Sequence, residues 1–209
     1  MEGNDNNLEK IKLGIFGDSS VGKTYFSRKY VNDINLESSL STIGIEYLTI
    51  NKVLSNGEKY TIYIYDTAGQ EKYRSLSLNS LRHCDGVILM YDITNKKTFD
   101  SISEWIKNIY EKKDEDYPLV LIGNKCDLKD ERVISKEEGI EMAEKYKTTY
   151  FETSAKEGIN IEKPIEELIN KIIKNKEENK KKTNIGNNIK LDARKNIQKN
   201  NQKKSCCWR

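Results

Sequence analysis

Residues Lys10–Thr24, KIKLGIFGDSSVGKT, decide the fold of this chain. The apolar run KIKLGIFG breaks into glycine as a strand end does. Gly17-x4-Gly22-Lys23-Thr24 then opens a helical stretch over residues 23–31. Glycines in such a loop let backbone N–H groups turn toward a polyphosphate, helped by the positive end of the following helix. Lys23 is placed to reach the outer phosphates, and the Thr24 hydroxyl to ligate Mg²⁺. Asp18, Ser19, Ser20, Val21, Gly22 and Tyr25 complete the expected phosphate-side set.

Outward from this loop, Tyr60–Asp66 (YTIYIYD) is rich in aromatic and β-branched residues. Asn56–Gly57 just before it marks a hairpin back to residues 46–54. Gly86–Asp92 (GVILMYD) and Pro118–Asn124 (PLVLIGN) are nearly all apolar, as strands buried on both faces are. Tyr150–Phe151 is a shorter, weaker strand candidate. Helices are expected over about 23–31, 98–112, 135–147 and 160–175, the last with Ile161, Ile165, Leu168, Ile169 and Ile172 on one face. Alternating strands and helices predict an α/β fold. With the glycine loop, the expectation is a single P-loop NTPase domain with a doubly wound, mostly parallel six-stranded sheet and one antiparallel strand. Ligands are then expected beyond the carboxyl ends of the strands.

Three more segments follow such strands. In DTAGQ, Asp66 offers a carboxylate to Mg²⁺, Gly69 a backbone N–H near a terminal phosphate, and Gln70 an amide that can orient an attacking water. In NKCD, Asp127 can accept from both the ring N–H and the exocyclic amino group that guanine alone offers together. Lys125 lays an aliphatic stem over the purine, and Asn124 ties the loops. In TSAK, Ser154, Ala155 and Lys156 close the base side, with the Ala155 N–H toward the guanine oxygen. The four segments in order specify GTP/GDP with Mg²⁺.

These residues resemble the Ras superfamily of small GTPases over essentially residues 9–173, and the Rab family within it. The likeness is carried further by STIGIEY (Ser41–Tyr47), KYRSLS (Lys72–Ser77), MYDIT (Met90–Thr94) and the terminal Cys206–Cys207. It implies that Thr42 is a metal ligand with Thr24 and Asp66. Gln70 and Lys23 would be the catalytic residues, and two switches, 32–47 and 67–82, would change order on hydrolysis and be read by effectors. No intrinsic arginine finger is evident, so unassisted turnover on the order of 10⁻⁴ s⁻¹ is expected, sped by a GTPase-activating protein. The resemblance also implies an exchange factor, a Rab escort protein, a GDP-dissociation inhibitor and a monomeric chain. Its place would be the cytoplasmic face of an intracellular membrane, cycling with cytosol, where the protein regulates vesicle traffic.

Several positions depart from the Rab pattern. Asn35 and Ser39 stand where aromatics usually lie near the guanine, which implies faster nucleotide release. Tyr65 replaces a usual tryptophan, Ser80–Leu81 a tyrosine pair, and His83–Cys84 a small Gly-Ala pair. Of the aromatic patch between the switches, Tyr47 and Tyr65 remain, pointing to a different effector set. His83, the single histidine, leaves no His-based triad or zinc site and is expected at a helix end, packed or partly exposed.

Charge is divided unevenly. Residues 1–173 hold 24 Lys/Arg against 30 Asp/Glu, net −6, and residues 174–209 hold 12 against 3, net +9. The organisation expected is an N-terminal extension (1–8), a nucleotide-binding domain (9–173) and a basic hypervariable tail (174–209), disordered over 176–205. The first residues lack the apolar run of a secretory signal, and no stretch is long enough for a transmembrane helix. Cys206-Cys207-Trp208-Arg209 resembles the CCxx endings that receive two geranylgeranyl chains, with Lys180–Lys182 and Lys203–Lys204 as a patch for an anionic cytoplasmic leaflet. The acidic body and the lack of a base-stacking platform argue against nucleic acid. Two other classes share such a loop. Gln70 argues against a GTP-holding scaffold that barely hydrolyses, and Asp127 with Ala155 argues against a metabolic kinase or ATPase.

Overall fold

The structure, a computed structural model, describes residues 8–33, 47–54, 57–66 and 80–179. Its elements in chain order are β1 (Glu9–Phe16), α1 (Lys23–Asp33), β2 (Tyr47–Val53), β3 (Lys59–Asp66), β4 (Gly86–Asp92), α2 (Lys96–Asp100), α3 (Ile102–Tyr110), β5 (Leu119–Asn124), α4 (Lys136–Lys145) and β6 (Thr149–Thr153). A last helix, α5, spans 162–179. The sheet has six strands in the order β2-β3-β1-β4-β5-β6. β2 runs antiparallel to β3, and every other pairing is parallel. The mostly parallel sheet with one antiparallel edge strand is the arrangement expected from the sequence.

Every residue of β4 and of β5 is buried, which is why their sequences read as unbroken apolar runs. On one face, Leu89, Tyr91 and Leu121 pack with Ile102, Trp105, Ile106 and Ile109 of α3. Those four recur at helical spacing, and burying each contributes roughly 2 kcal/mol. In α5, Ile165, Leu168, Ile169 and Ile172 are buried, as their spacing predicts. Gly86 makes the fit close: a Cβ there would meet Ile172 at 2.8 Å and Leu168 at 2.9 Å.

Helix boundaries differ from the sequence reading, while the weak strand candidate is found where it was expected. The helix expected over 98–112 is two helices that meet at Ser101. Asn95 starts the first of them early, its side chain accepting from Lys97 N at 3.1 Å. Ser101 Oγ lies 3.0 Å from Thr98 O, the farther of two acceptors that share its one hydroxyl hydrogen, and such back-bonding serines bend helices. The strand around Tyr150–Phe151 is five residues long, its first four only half-buried, so its apolar signal is weak. Helix α5 runs to residue 179, correcting the disorder expected from 176 onward. Lys and Glu at 174–178 are good helix formers, and Asn179 donates to Asn175 Oδ1 one turn back at 3.1 Å.

Two compact units divide the chain, Met1–Ile172 and Ile173–Arg209. Sheet and core belong to the first, and the second is described only over its helical run to residue 179. No described helix is long and apolar enough to cross a membrane.

Candidate nucleotide site

The carboxyl ends of β1, β3, β4, β5 and β6 carry the residues of interest, because parallel strands end on the same edge of the sheet. After β1 the chain turns at Gly17, at φ +136°, and again at Gly22, at φ +102°. A side chain at Gly17 would run into the Met90 carbonyl, and one at Gly22 into the Asn124 amide. Only glycine fits either place. Ser20 holds φ +63° without that freedom, a strained non-glycine conformation of the kind that collects at functional loops. Val21 is fully buried, and Tyr25 projects into solvent at 59% exposure.

Lys23 is 3% exposed. Its Nζ donates to Gly17 O at 3.0 Å and Asp18 O at 2.6 Å, so the ammonium lies inside the curve of the loop. Thr24 is half-buried in the first turn of α1. Asp66 ends β3, paired in register with Ile15 one residue before the end of β1. Ser19 is exposed. Thr42, Gly69, Gln70, Asn35 and Ser39 lie outside the described residues, as do Cys206 and Cys207.

The segments expected to take the base follow β5 and β6. Asn124, 2% exposed, donates to Val21 O at 2.8 Å. Its Oδ1 accepts from Thr153 Oγ1 at 3.0 Å and from Ala155 N at 3.1 Å. One amide therefore joins the loop after β1 to the segments that follow β5 and β6. The Ala155 N–H, expected to face a guanine oxygen, is directed to Asn124 here. Lys125 turns at φ +70°, and its Nζ pairs with Asp92 Oδ2 at 2.6 Å. Asp127 Oδ1 is buried and has no hydrogen-bond partner among the described residues. A buried carboxylate oxygen left unpaired is costly, and a ligand N–H would relieve that cost. Ser154 accepts from Glu157 N at 3.0 Å and so shapes the turn, while Lys156 is exposed near Glu157 at 3.9 Å.

Sequence reasoning missed the supports behind these loops. Asp92 ends β4 on the same edge as the other site residues, which was the available signal. Besides Lys125 it holds Thr94, whose N and Oγ1 donate to Oδ1 at 2.9 and 2.7 Å. Beneath the base side, Tyr91 and Tyr150 hydroxyls meet at 2.9 Å. Tyr150 also donates to Glu152 Oε1 at 3.1 Å, and Arg132 grips both Glu152 oxygens at 2.6 and 3.0 Å. Burial pushes the Tyr91 hydroxyl up to about 12 and the Tyr150 hydroxyl higher still, so both are neutral.

The departures near the second switch are of two kinds. Leu81 is fully buried in the core cluster, so this position belongs to the interior rather than to a surface patch. Cys84 is buried too; burial pushes its thiol up to about 12, and its carbonyl accepts from Tyr117 Oη at 2.6 Å. His83 is exposed at the end of the one-turn helix Leu81–His83. On the sheet, Tyr47 lies 6.0 Å from Tyr65 and 5.6 Å from Tyr63, ring centre to ring centre. Tyr63 is an addition to that half-exposed aromatic group that the sequence did not single out.

A glycine loop between a parallel strand and a helix, with further polar segments at the same sheet edge, defines a P-loop nucleotide-binding protein. The sequence model of the Ras family matches residues 12–174. The chain is 44% identical over 153 residues to Ras-related protein Rab-10 of Diplobatis ommata, covering 73% of this chain and 76% of that protein. It is 40% identical over 168 residues to Ras-related protein Rab-3C of Bos taurus, covering 80% and 74%. With Ras-related protein Rab-3 of Caenorhabditis elegans the identity is 41% over 165 residues, covering 78% and 75%. The chain belongs to the Ras family, within its Rab branch of guanine-nucleotide-binding enzymes that hydrolyse GTP.

Proposed function

We propose that this protein is a GTP-driven switch of membrane traffic whose base selection rests on Asp127. The observation that carries the reading is the buried Asp127 oxygen, without a hydrogen-bond partner among the described residues, on a loop that Asn124 bonds to the phosphate loop. Guanine offers two adjacent N–H donors to a carboxylate; adenine offers no such pair. Gly17–Gly22 and Lys23 hold the phosphates, with Asp18, Ser19, Ser20, Val21, Thr24 and Tyr25 along the loop and Ser154, Ala155 and Lys156 closing the base side. Thr24 and Asp66, with Thr42, would hold Mg²⁺, which would offset phosphate charge. Gln70 and Gly69 orient water and the terminal phosphate for in-line attack, and Lys23 stabilises the charge that moves to the bridging oxygen.

Switches over 32–47 and 67–82 then report nucleotide state to effectors, and Tyr47, Tyr63 and Tyr65 supply part of the reading surface. An exchange factor, a GTPase-activating protein, an escort protein and a GDP-dissociation inhibitor act on the cycle. Cys206 and Cys207 carry lipid that anchors the protein to a cytoplasmic leaflet, and the basic tail strengthens that hold. Asn35 and Ser39 hasten nucleotide release; mant-GDP leaving no faster than from an Asn35→Tyr variant would remove that part.

Competition of GTP, ATP and xanthosine triphosphate against bound mant-GDP tests the central reading. GTP alone displaces the probe at micromolar concentration or below, and equal displacement by ATP would overturn the reading. Single-turnover phosphate release with Gln70→Leu as control assigns the water-orienting role. Intact mass of the native protein reads the lipid.

A further inference from the structure

Asp18 places a negative charge inside the loop that must receive a polyphosphate. Both of its carboxylate oxygens are engaged by the segment that starts α3. Ser101 Oγ donates to Oδ2 at 2.7 Å, and the Trp105 indole N–H donates to Oδ1 at 2.8 Å. These partners lie 83 and 87 residues away in sequence. Trp105 is 3% exposed and packs against Phe16, the last residue of β1, with ring centres 6.3 Å apart. The backbone carbonyl of the same Asp18 accepts from Lys23 Nζ at 2.6 Å. The indole therefore fixes the residue whose carbonyl orients the phosphate lysine.

We infer that Ser101 and Trp105 are positioning residues for the phosphate loop: they hold the Asp18 carboxylate on α3, away from the bound phosphates, and keep its carbonyl on Lys23. The inference rests on the reading of this loop as the polyphosphate site. Its chemistry is one of charge. A carboxylate released from the indole is free to swing toward the ligand and repel it. The repulsion is greater for a triphosphate than for a diphosphate, because the triphosphate carries more negative charge. The tether thus biases the site toward GTP over GDP.

A double-mutant cycle on the full chain tests this. Stopped-flow release of mant-GTP and mant-GDP is measured for the wild type, Trp105→Phe, Asp18→Asn and the double variant. Trp105→Phe is expected to release mant-GTP about tenfold faster, the size of coupling found between residues in contact, and mant-GDP by a smaller factor. Asn at position 18 accepts the same hydrogen bond without the charge, so Trp105→Phe in the Asp18→Asn background should change release by less than about twofold. Equal acceleration in both backgrounds would reduce Trp105 to core packing and overturn the inference. So would equal effects on the two nucleotides. If Trp105→Phe fails to fold, Ser101→Ala takes its place in the cycle, with a smaller effect of the same sign that vanishes in the Asp18→Asn background. A wild type that retains neither nucleotide overturns the reading of the site itself, a result distinct from either failure of the tether.

Discussion

The two ends of the site are held by different means. On the side expected to take the base, polar side chains do the holding: Asn124 bonds the Val21 carbonyl, the Thr153 hydroxyl and the Ala155 N–H, and Asp92 takes the Lys125 ammonium. On the phosphate side the loop is shaped by glycine backbone, with one buried lysine pulled onto two carbonyls. A side-chain lattice fixes direction, which recognition of a planar base needs. A backbone cradle supplies many weak donors, which a symmetric polyanion needs. Damage should differ accordingly: loss of discrimination at one end, loss of charge balance at the other.

Asn124→Ala should do the greatest harm because it breaks both ends at once. It leaves the Val21 carbonyl and the Ala155 N–H buried without their partner, at about 3 kcal/mol or more of stability. Urea unfolding and mant-GDP retention should fall together; retention without loss of stability would separate the two ends. Next comes Asp127→Asn, which turns an acceptor into a donor. GTP affinity should fall by about 100-fold or more while xanthosine triphosphate gains. Its unfolding midpoint without nucleotide should not fall, since Oδ1 has no partner to lose among the described residues.

Gly139→Ala probes the support beneath the base side. A methyl there would collide with the Tyr150 ring, so about 1–3 kcal/mol of stability should be lost. Nucleotide release should change much less, and a large change would make the tyrosine cluster part of recognition. The smallest effect belongs to Ser135→Ala at the start of α4. Ser135 and Glu138 bond reciprocally as a capping box, and losing the Ser135 cap should cost about 1 kcal/mol in thermal unfolding. Hydrogen bonds from the Ser135 backbone N–H and then its hydroxyl hold the Glu138 carboxyl below its usual range. Its folded value lies below its unfolded one. Its contribution is therefore present above the unfolded carboxylate range and is lost as pH falls through the folded value. Acid titration of Ser135→Ala should show a weaker pH slope there.

Fold and ligand were largely legible because both rest on local signals. Buried parallel strands announce themselves as apolar runs, and the glycine loop by spacing. What stayed hidden depends on partners far along the chain. Nothing near Ser101 indicates that it answers Asp18 across the sheet edge. Asp92 closes an apolar strand without local sign that it neutralises Lys125. Leu81 stood out only as a replacement for one of the family's usual tyrosine pair, and only the core shows it buried. β6 was faint for the opposite reason: half-exposed strands carry half the signal.

The strand order has a last consequence, for the making of the molecule. β1 is synthesised first yet lies inside the sheet, between β3 and β4. Neither of its edges can be paired until residues 59–66 and 86–92 exist. At roughly 5–20 residues per second on the ribosome, that is a wait of about 4–15 seconds with an apolar strand uncovered. The phosphate loop hangs from that strand, and its tie to Asn124 comes later still. A nascent chain of this protein should therefore need shelter for its first strand, and gain the stabilising grip of nucleotide only when nearly complete.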